Sequence, residues 1–306
     1  MGLDVKHEGI IVLGAPRSGT TLLRRLLDAH PNIACAGETH ILNACARFLH
    51  AETIAEGVDM GVLSGLSFAG YSDQEVLSRL REFAFDFPRD YAKRQGKGRW
   101  AEKTAIDSFY IEEIDRLCGD HAYFIYVIRH GLDVACSCKD LADENGGYLQ
   151  EFHRYIKTYP KPLEAFCHAW VDVTKAITDF ASRHPDNTIT YRYEDLVADP
   201  QTTMKSLLDF VGEPWDATLL DRAMQRREDV GLGDWKTYRR NRIDGSSVKR
   251  WQDLSHATIG SLGRIVNPTL VANGYEPVDV EDERDSAEAR RRYELGLLVN
   301  AARNQP

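Results

Sequence analysis

The sequence has few cysteines and no paired-cysteine motif. Its 306 residues include six cysteines, none of them in a CxxC pair. Cys136 and Cys138 are separated by one residue, which is a poor spacing for a metal site. The pattern favours reduced thiols over a disulfide or zinc framework. We interpret Cys136 and Cys138 as small residues near the start of a helix.

Long apolar runs and a recognisable secretory leader are also missing. No apolar run approaches the roughly 20 residues that a membrane helix needs, so we expect no membrane span. The first residues, MGLDVKHEGI, are polar and lack the basic and apolar regions of a secretory signal. These absences predict a cytoplasmic location.

Positive charge is scarce over the whole chain. Lys and Arg number 38 against 47 Asp and Glu, which gives a formal net charge of −9. A phosphate backbone is bound by clustered Lys and Arg, so the charge argues against nucleic acid as the main partner. It leaves room for a small anion in a local basic pocket. The oligomeric state stays open, a homodimer included.

The composition is that of a globular protein with one sizeable core. Hydrophobic residues make up 43% and charged residues 28%, and no repeat or low-complexity linker interrupts the chain. We expect a single domain over residues 1–280. Residues 281–306 carry blocks of charge and predict a C-terminal helix or tail.

Apolar runs alternate with helical patterns along the chain. Strands are predicted at 9–15, 122–129 and 187–196, the first two buried on both faces. Helices are predicted at 20–30, 161–185 and 199–212, and over most of 44–95 apart from a loop-rich interruption at 56–73. The order predicts an α/β protein with a central parallel sheet flanked by helices.

A phosphate-binding pattern follows the first strand. Residues 14–21, GAPRSGTT, almost match the signature GxxxxGK[ST], but Thr20 stands where the lysine belongs. A strand, a glycine turn and a helix expose backbone N–H groups to an anion. Gly19 permits close approach, Arg17 supplies positive charge, and three hydroxyls can donate: those of Ser18, Thr20 and Thr21.

The missing lysine bears on the chemistry. Nucleoside triphosphatases rely on that lysine and on Mg²⁺, because the transferred phosphoryl group and its neighbours carry several negative charges. A sulfuryl group carries less charge, so a metal-free site with one or two cations suffices. The alternative is an ordinary tight turn in an unrelated α/β protein.

Three segments in order resemble sulfotransferases that use 3′-phosphoadenosine 5′-phosphosulfate (PAPS). APRSGTTLLRRLLDAHPNI is similar to their 5′-phosphosulfate loop. YVIRHGLDVACS is similar to their 3′-phosphate motif, which here supplies Arg129 and, eight residues later, Ser137. SSVKRWQDLS resembles the C-terminal segment that closes over the nucleotide, and ITYRYEDLVADP is also typical.

The resemblance carries expectations for fold, co-substrate and binding residues. It implies a sulfotransferase fold related to the P-loop nucleoside triphosphatases, with PAPS as co-substrate. Arg129 and Ser137 would bind the 3′-phosphate, although Arg129 at a strand end could instead pair with a carboxylate. The remaining nominated contacts to adenine and the 3′-phosphate are Tyr193, Lys249, Arg250 and Trp251. Trp251 could equally be a core residue.

The same resemblance nominates catalytic residues. CAGETHIL matches the Gly-Glu-Thr motif of the tyrosylprotein branch and nominates Glu38 as the base; the alternatives are a capping role for Glu38 and His40 as the base. Lys103 in RWAEKTAID would assist the leaving oxygen, with Arg17 sharing that charge. The alternative for Lys103 is a surface ion pair with Glu102 or Asp107.

The sequence departs from the tyrosylprotein branch at the acceptor side. Glu102 precedes Lys103 where that branch has a cysteine, and His40 stands where arginines would hold an acidic peptide, with Arg47 only farther on. A sugar, lipid or natural-product hydroxyl is therefore the favoured acceptor, with tyrosine as the remaining alternative. An aromatic segment offers either an acceptor wall or core residues: Tyr148, Phe152, Tyr155 and Tyr159.

Two rival functions come from other classes. One is a Mg²⁺-dependent nucleotide kinase or phosphotransferase with a degenerate phosphate loop, which would need a carboxylate at the end of a later strand, where this chain has Arg129. The other is a nucleotide-binding scaffold without activity. A scaffold predicts loss of the base or the lysine, whereas Glu38 and Lys103 are both present.

Overall fold

The structure is a computed structural model that describes residues 7–54, 57, 59–225 and 243–280, together with 291, 294 and 295. All structural statements concern these residues. The predicted C-terminal helix or tail at 281–306 lies outside them except at the three isolated positions.

Five parallel strands form the central sheet in the order β2-β5-β1-β6-β7. A separate antiparallel pair joins β3 and β4. The strands are β1 Gly9–Leu13, β2 Ile33–Cys35, β3 Ala51–Thr53, β4 Asp59–Gly61, β5 Arg99–Glu102, β6 Ala122–Ile128 and β7 Thr188–Arg192. β1 is buried throughout and β6 nearly so, as their continuous apolar runs predicted.

Helices cover both faces of this sheet. They are α1 Thr20–Asp28, α2 Ile41–Phe48, α3 Val62–Ser67, α4 Asp73–Arg94, α5 Ile111–Cys118, α6 Gly131–Asn145, α7 His153–Thr158, α8 Pro162–Arg183, α9 Tyr193–Ala198, α10 Pro200–Phe210, α11 Leu219–Gln225 and α12 His256–Ala272. Short 3₁₀ turns lie at Ala105–Phe109, Gln150–Phe152 and Arg250–Asp253. The predicted α/β class with a central parallel sheet is confirmed.

The alternation of side chains along β1 divides the core into two clusters. Ile11 and Leu13 pack into one cluster with residues of α5, α6, α8 and α12. Ile10 and Val12 point the other way, into a cluster with residues of α1, α10 and α11. Successive strand residues point to opposite faces, so one apolar strand serves both cores.

Two predictions of secondary structure were wrong in detail. The predicted strand 187–196 ends at Arg192, and α9 begins at Tyr193, because Glu194 and Asp195 stabilise the positive N-terminal end of a helix. The short hairpin of β3 and β4 lies where helix and loop were predicted. Its residues are mostly exposed, so no alternation of buried and exposed residues marks it in the sequence.

The cysteines form no disulfide in the structure. All six cysteines are free thiols, and Cys136 and Cys138 lie in α6. Across the described ranges, no helix is both long and apolar enough to cross a membrane.

Candidate active site

The carboxyl ends of the five parallel strands bring the predicted site residues to one edge of the sheet. In parallel sheets the ligand site lies at this edge. The residues that follow the strands there are Glu38 after β2, Lys103 after β5, the loop 14–19 after β1, Arg129 after β6 and Tyr193 after β7. Five separate stretches of chain therefore converge on one place.

A cavity of about 380 Å³ opens at this edge. Most of the predicted residues line it: Arg17, Gly19, Thr20, Thr21, Glu38, His40, Arg129, Ser137, Tyr193 and Arg250. The lining also includes residues that the sequence did not single out, among them Arg25, Asp244 and Ser247. Arg17 and Arg129, predicted to bind opposite ends of one nucleotide, share this single cavity.

The phosphate loop is held rigidly at both ends. The Gly14 amide donates to the Ser108 hydroxyl at 3.0 Å, and that hydroxyl donates back to the Gly14 carbonyl at 2.9 Å. Gly19 has φ of 99°, a left-handed conformation that favours glycine. A Cβ on Gly19 would lie 2.2 Å from the Tyr193 ring, so the ring packs directly against the loop.

Two further features of the loop fit an anion. The Ser18 hydroxyl is buried and has no hydrogen-bond partner within the described part of the chain. The first amides of α1 have no carbonyl partner within the helix, as at any helix start. Arg17 has φ of 75°, which is uncommon for a residue other than glycine, and its Nε donates to Ser137 Oγ at 3.2 Å. This bond connects the loop to α6, the helix whose Ser137 was predicted to bind the 3′-phosphate.

Glu38 and Lys103 contact each other directly. The Lys103 ammonium donates to Glu38 Oε1 at 2.6 Å and lies 3.5 Å from Thr21 Oγ1. The Lys103 side chain is only 2% exposed and that of Glu38 23%. A surface ion pair of Lys103 with Glu102 or Asp107 was the alternative, and it is wrong because Lys103 is buried against Glu38.

Helix α2 does not use Glu38 as its cap. The helix begins at Ile41, its N-cap residue is His40, and the Glu38 carboxylate points to Lys103 instead. His40 is exposed and lines the cavity, and its Nδ1 lies 3.3 Å from Asn43 Nδ2. Both nominated bases therefore face the cavity.

Arg129 links the loop to the C-terminal segment. Its Nη1 donates to the Arg17 carbonyl at 2.9 Å and its Nη2 to the Ser247 carbonyl at 2.5 Å. The guanidinium also lies over the Tyr193 ring, 4.7 Å from its centroid. Arg129 Nε is buried with no partner among the residues described. Arg129 is therefore held by two backbone carbonyls and the Tyr193 ring, and not by the carboxylate that was the alternative prediction.

The segment around Trp251 is attached to the start of α6. Asp133 is fully buried and accepts from the amides of Lys249 at 2.8 Å and Trp251 at 3.2 Å. Arg250 Nη2 donates to Asp140 Oδ2 at 2.7 Å. Of the three nominated residues in this segment, only Arg250 lines the cavity.

Trp251 stacks on a histidine ring beside the cavity. Its ring stacks on His130 at 5.2 Å between centroids, with 8° between the planes, and it packs against the larger core cluster. Burial, aided by the Arg129 charge, lowers the pKa of His130 to about 4. The structure therefore places Trp251 beside the site, where it supports the segment that carries Arg250.

Glu102 and Asp107, suggested from the sequence only as surface partners of Lys103, are both buried. Burial raises the pKa of Glu102 to about 7, although the Thr104 hydroxyl donates to it at 2.9 Å. Burial likewise raises the pKa of Asp107 well above its usual value, helped by the nearby charge of Glu102. Within the described ranges, no group of three or more His, Cys, Asp or Glu residues is placed to hold a metal ion.

The aromatic segment divides into two parts. Tyr148 and Phe152 line a recess of about 220 Å³ that shares Arg17 and Leu141 with the main cavity. Tyr155 is buried and donates to Asp172 at 3.0 Å, and Tyr159 stacks on His168. Only the first two of the four predicted aromatic residues therefore adjoin the cavity.

Comparison with known proteins identifies the class. Residues 9–217 match the Sulfotransferase family, and the chain belongs to that family. It is similar to protein-tyrosine sulfotransferase 1 of Danio rerio, with 24% identity over 88% of this chain and 72% of that protein. It is also 24% identical to protein-tyrosine sulfotransferase A of Caenorhabditis elegans over 74% of this chain, but spans only 55% of that relative.

Solved structures agree on the fold. The sulfotransferase domain from the curacin biosynthetic pathway superposes with a TM-score of 0.58 at 21% identity, covering 89% of this chain and 99% of that domain. The family and the sulfotransferase fold predicted from the three ordered motifs are thus confirmed, and the protein is a sulfotransferase enzyme.

Proposed function

We propose that the protein transfers the sulfuryl group of PAPS to a hydroxyl acceptor, with Glu38 as the base. The observation that carries the proposal is the shared cavity, which Arg17, Arg129 and Glu38 line together while Lys103 is bonded to Glu38. This arrangement places cations for two phosphate groups and a carboxylate for the acceptor proton within one small volume.

The loop and α6 supply a binding site suited to the nucleotide. The unpartnered Ser18 hydroxyl and the start of α1 fit the 5′-phosphosulfate end. Arg129, Ser137 and Arg250 fit the 3′-phosphate, and charge on that group would separate PAPS from adenosine 5′-phosphosulfate. PAPS supplies the activated sulfuryl group.

The Glu38–Lys103 contact links the transfer of the acceptor proton to the stabilisation of negative charge on the leaving oxygen. Glu38 accepts the proton of the attacking hydroxyl as the new S–O bond forms. Once protonated, Glu38 no longer holds the Lys103 ammonium by charge, so Lys103 can stabilise the oxygen that departs with the 5′-phosphate. Arg17 and the amides at the start of α1 share the same developing negative charge.

The kinase alternative finds less support at this edge. A kinase needs carboxylates near the phosphates to hold Mg²⁺, whereas β6 is followed by Arg129, and Arg17 in the loop donates to Ser137 of α6. Positive charge at these positions opposes a bound metal ion. In sulfuryl transfer, the same positive charges would bind and stabilise the anionic nucleotide.

The recess favours an acceptor with an apolar portion. Its walls include Leu141, Tyr148, Leu149, Phe152 and Phe166. The relatives are named for protein tyrosine, but Arg47 here bonds to Asn43 and Glu151 and does not line either space. We therefore favour a lipid or natural-product hydroxyl over an acidic tyrosine peptide, and a cytoplasmic location in keeping with six free thiols.

One set of measurements tests the proposal. We expect 3′-phosphoadenosine 5′-phosphate (PAP) to raise the melting temperature without added metal, and ATP with Mg²⁺ not to do so. Glu38→Gln should keep the PAP-induced shift and lose sulfuryl transfer by roughly 10²- to 10⁴-fold, the contribution of a general base. Transfer is followed by mass detection of the sulfated product across a set of hydroxylated acceptors.

His40→Gln is the matched variant, because His40 lines the same cavity two residues further along the chain. It should retain most of the turnover. If His40→Gln lost transfer and Glu38→Gln retained it, the base would be His40. If ATP with Mg²⁺ stabilised the protein and PAP did not, the kinase reading would replace the sulfotransferase one.

A further inference from the structure

The N-terminus of α2 is capped from a distant part of the chain. Its own N-cap residue, His40, has a left-handed backbone with φ of 60° and makes no side-chain cap. The amide of Asn43, in the first turn, donates instead to Asp107 Oδ1 at 3.2 Å. A side-chain oxygen at this amide is what an N-cap residue normally provides.

Asn43 and Asp107 form a buried pair. Each is 1% exposed, and Asn43 Nδ2 donates to the same Asp107 Oδ1 at 2.8 Å. Asn43 in turn lies 3.3 Å from the His40 ring through the same Nδ2 and accepts from Arg47 at 2.8 Å. The first turn of α2 is therefore fixed by one buried carboxylate 64 residues away in the chain.

A second bond joins the same two segments. The His40 amide donates to Thr104 Oγ1 at 3.2 Å, and Thr104 donates to the buried Glu102 at 2.9 Å. Thr104 precedes the 3₁₀ turn Ala105–Phe109 and Asp107 lies within it, just after Lys103. Besides the Lys103–Glu38 contact, the segment that carries Lys103 thus holds the segment that carries Glu38 through Thr104 and Asp107.

We propose that Asp107 is a positioning residue for the reaction, which acts through Asn43 to hold the turn 38–40 so that Glu38 stays against Lys103. This inference rests on the proposed function of Glu38. Residues 36–40 contain no helix or strand of their own, and the local side-chain bond beside Glu38 is that of the Ile41 amide to Thr39 Oγ1 at 3.3 Å. A displacement of about 1 Å in a catalytic group can cost roughly 100-fold in rate, which makes the cap important for catalysis.

The bonds depend on an oxygen rather than on a charge. Asp107 Oδ1 can accept from Asn43 whether the carboxyl group is ionised or protonated. Asp107→Asn keeps an acceptor oxygen of the same shape, whereas Asp107→Ala leaves the buried Asn43 amide and side chain without their acceptor. The two substitutions therefore separate positioning from charge.

The experiment compares Asp107→Ala and Asp107→Asn in the wild-type and Glu38→Gln backgrounds, with labelled PAPS and 2-naphthol as the probe acceptor. We expect Asp107→Ala to lower kcat by roughly 10- to 100-fold, with the KM for PAPS and the PAP affinity changed by less than about threefold. Asp107→Asn should restore most of kcat. In the Glu38→Gln background Asp107→Ala should lower kcat by less than about twofold, because the two residues act through one group.

Glu213→Ala is the control for loss of stability alone. Glu213 is also buried and paired, with Arg99 Nε at 3.0 Å, but it lies near the amino end of β5, at the opposite edge of the sheet. This variant should lower the melting temperature and leave kcat unchanged. If Asp107→Ala behaved like Glu213→Ala, or if Asp107→Asn failed as completely as Asp107→Ala, the positioning role would be wrong.

Amide hydrogen exchange separates this inference from the proposed base. If Glu38→Gln kept full turnover, Glu38 would not be the base, and exchange at residues 38–44 would then decide the positioning role. Faster exchange there in Asp107→Ala, with no change in Glu213→Ala, would support it. Unchanged exchange at these amides would overturn it.

Discussion

Gly19 meets two separate requirements at the centre of the site. Its φ of 99° is a conformation that other residues rarely adopt, and a Cβ there would overlap the Tyr193 ring at 2.2 Å. Tyr193 in turn lies under the Arg129 guanidinium. A change at Gly19 would therefore reach Arg129 through the ring, as well as straining the loop.

Gly19→Ala should weaken PAP binding by at least about tenfold and lower the melting temperature. The left-handed backbone alone costs an alanine roughly 1–2 kcal/mol, and movement of Tyr193 adds to it. Gly212→Ala is the control, since Gly212 has φ of 74° but no atom near its added Cβ. That variant should lose stability and keep its PAP affinity, as isothermal titration would show. Equal PAP affinities for the two variants would contradict the role given to Tyr193.

How far single residues could be identified from the sequence depends on where their partners lie. The loop 14–21 and the Arg129–Ser137 pair are local patterns, so spacing along the chain was enough to nominate them. Glu38 and Lys103 were nominated only through resemblance, because their contact joins residues 65 positions apart. The burial of Asp107 and Asp133 was missed, because in a sequence a buried carboxylate looks like any surface acid.

Elements were predictable where burial imposes a periodic pattern. β1 and β6 are apolar because both faces are covered, and α10 begins with Pro200 behind an Asp199 cap, so their types were confirmed. The strand predicted at 187–196 was too long, because β7 runs directly into α9 and no change in the apolar pattern marks the boundary. The β3–β4 hairpin has little burial and so left no pattern to find.

The bonds that attach the C-terminal segment around Trp251 to α6 could be found only from the structure. Asp133 in the first turn of α6 accepts from the amides of Lys249 and Trp251, and Arg129 donates to the carbonyl of Ser247. These bonds hold Arg250 at the wall of the cavity. Since Arg250 is proposed to bind the 3′-phosphate, the attachment should matter most for ligands that carry that group.

Asp133→Ala should reduce the affinity for PAP by roughly tenfold or more and the affinity for adenosine 5′-phosphate much less, because the amides of Lys249 and Trp251 lose their buried acceptor and release Arg250. Titration calorimetry with both nucleotides measures the ratio. Asp199→Ala removes a comparable carboxylate-to-amide bond, to Thr202 at 3.0 Å, far from the cavity. It should leave the ratio unchanged. An equal loss for both nucleotides in Asp133→Ala would argue against the assignment of Arg250.

For the molecule as a whole, the site gathers buried ionisable groups in a chain with a formal net charge of −9. Lys103 lies among Glu38, Glu102 and Asp107, and the last two are fully buried. Burial of an ionised carboxylate is costly, and a single ammonium cannot offset it for three acids. The stability of the fold should therefore depend on pH through this cluster.

The free energy of unfolding should fall as the pH rises from about 4.5 to about 7. Burial raises the pKa of Glu102 from 4.5 to about 7, so between these values the native state binds more protons than the unfolded state. The loss is on the order of 3 kcal/mol at most, at about 1.4 kcal/mol per unit of pKa. Lys103 favours ionisation of Glu102, and the charge of Glu102 in turn raises the pKa of Asp107.

Glu102→Gln should flatten this dependence, because glutamine keeps an oxygen for the Thr104 hydroxyl and has no proton to lose. Urea unfolding at several pH values between 4.5 and 8 gives the slope for each protein. The exposed Glu52 provides the control, and Glu52→Gln should follow the wild type. Should the wild type and Glu102→Gln lose stability in parallel over this range, the dependence would have to come from another group, and Glu102 would be ionised in the folded protein throughout.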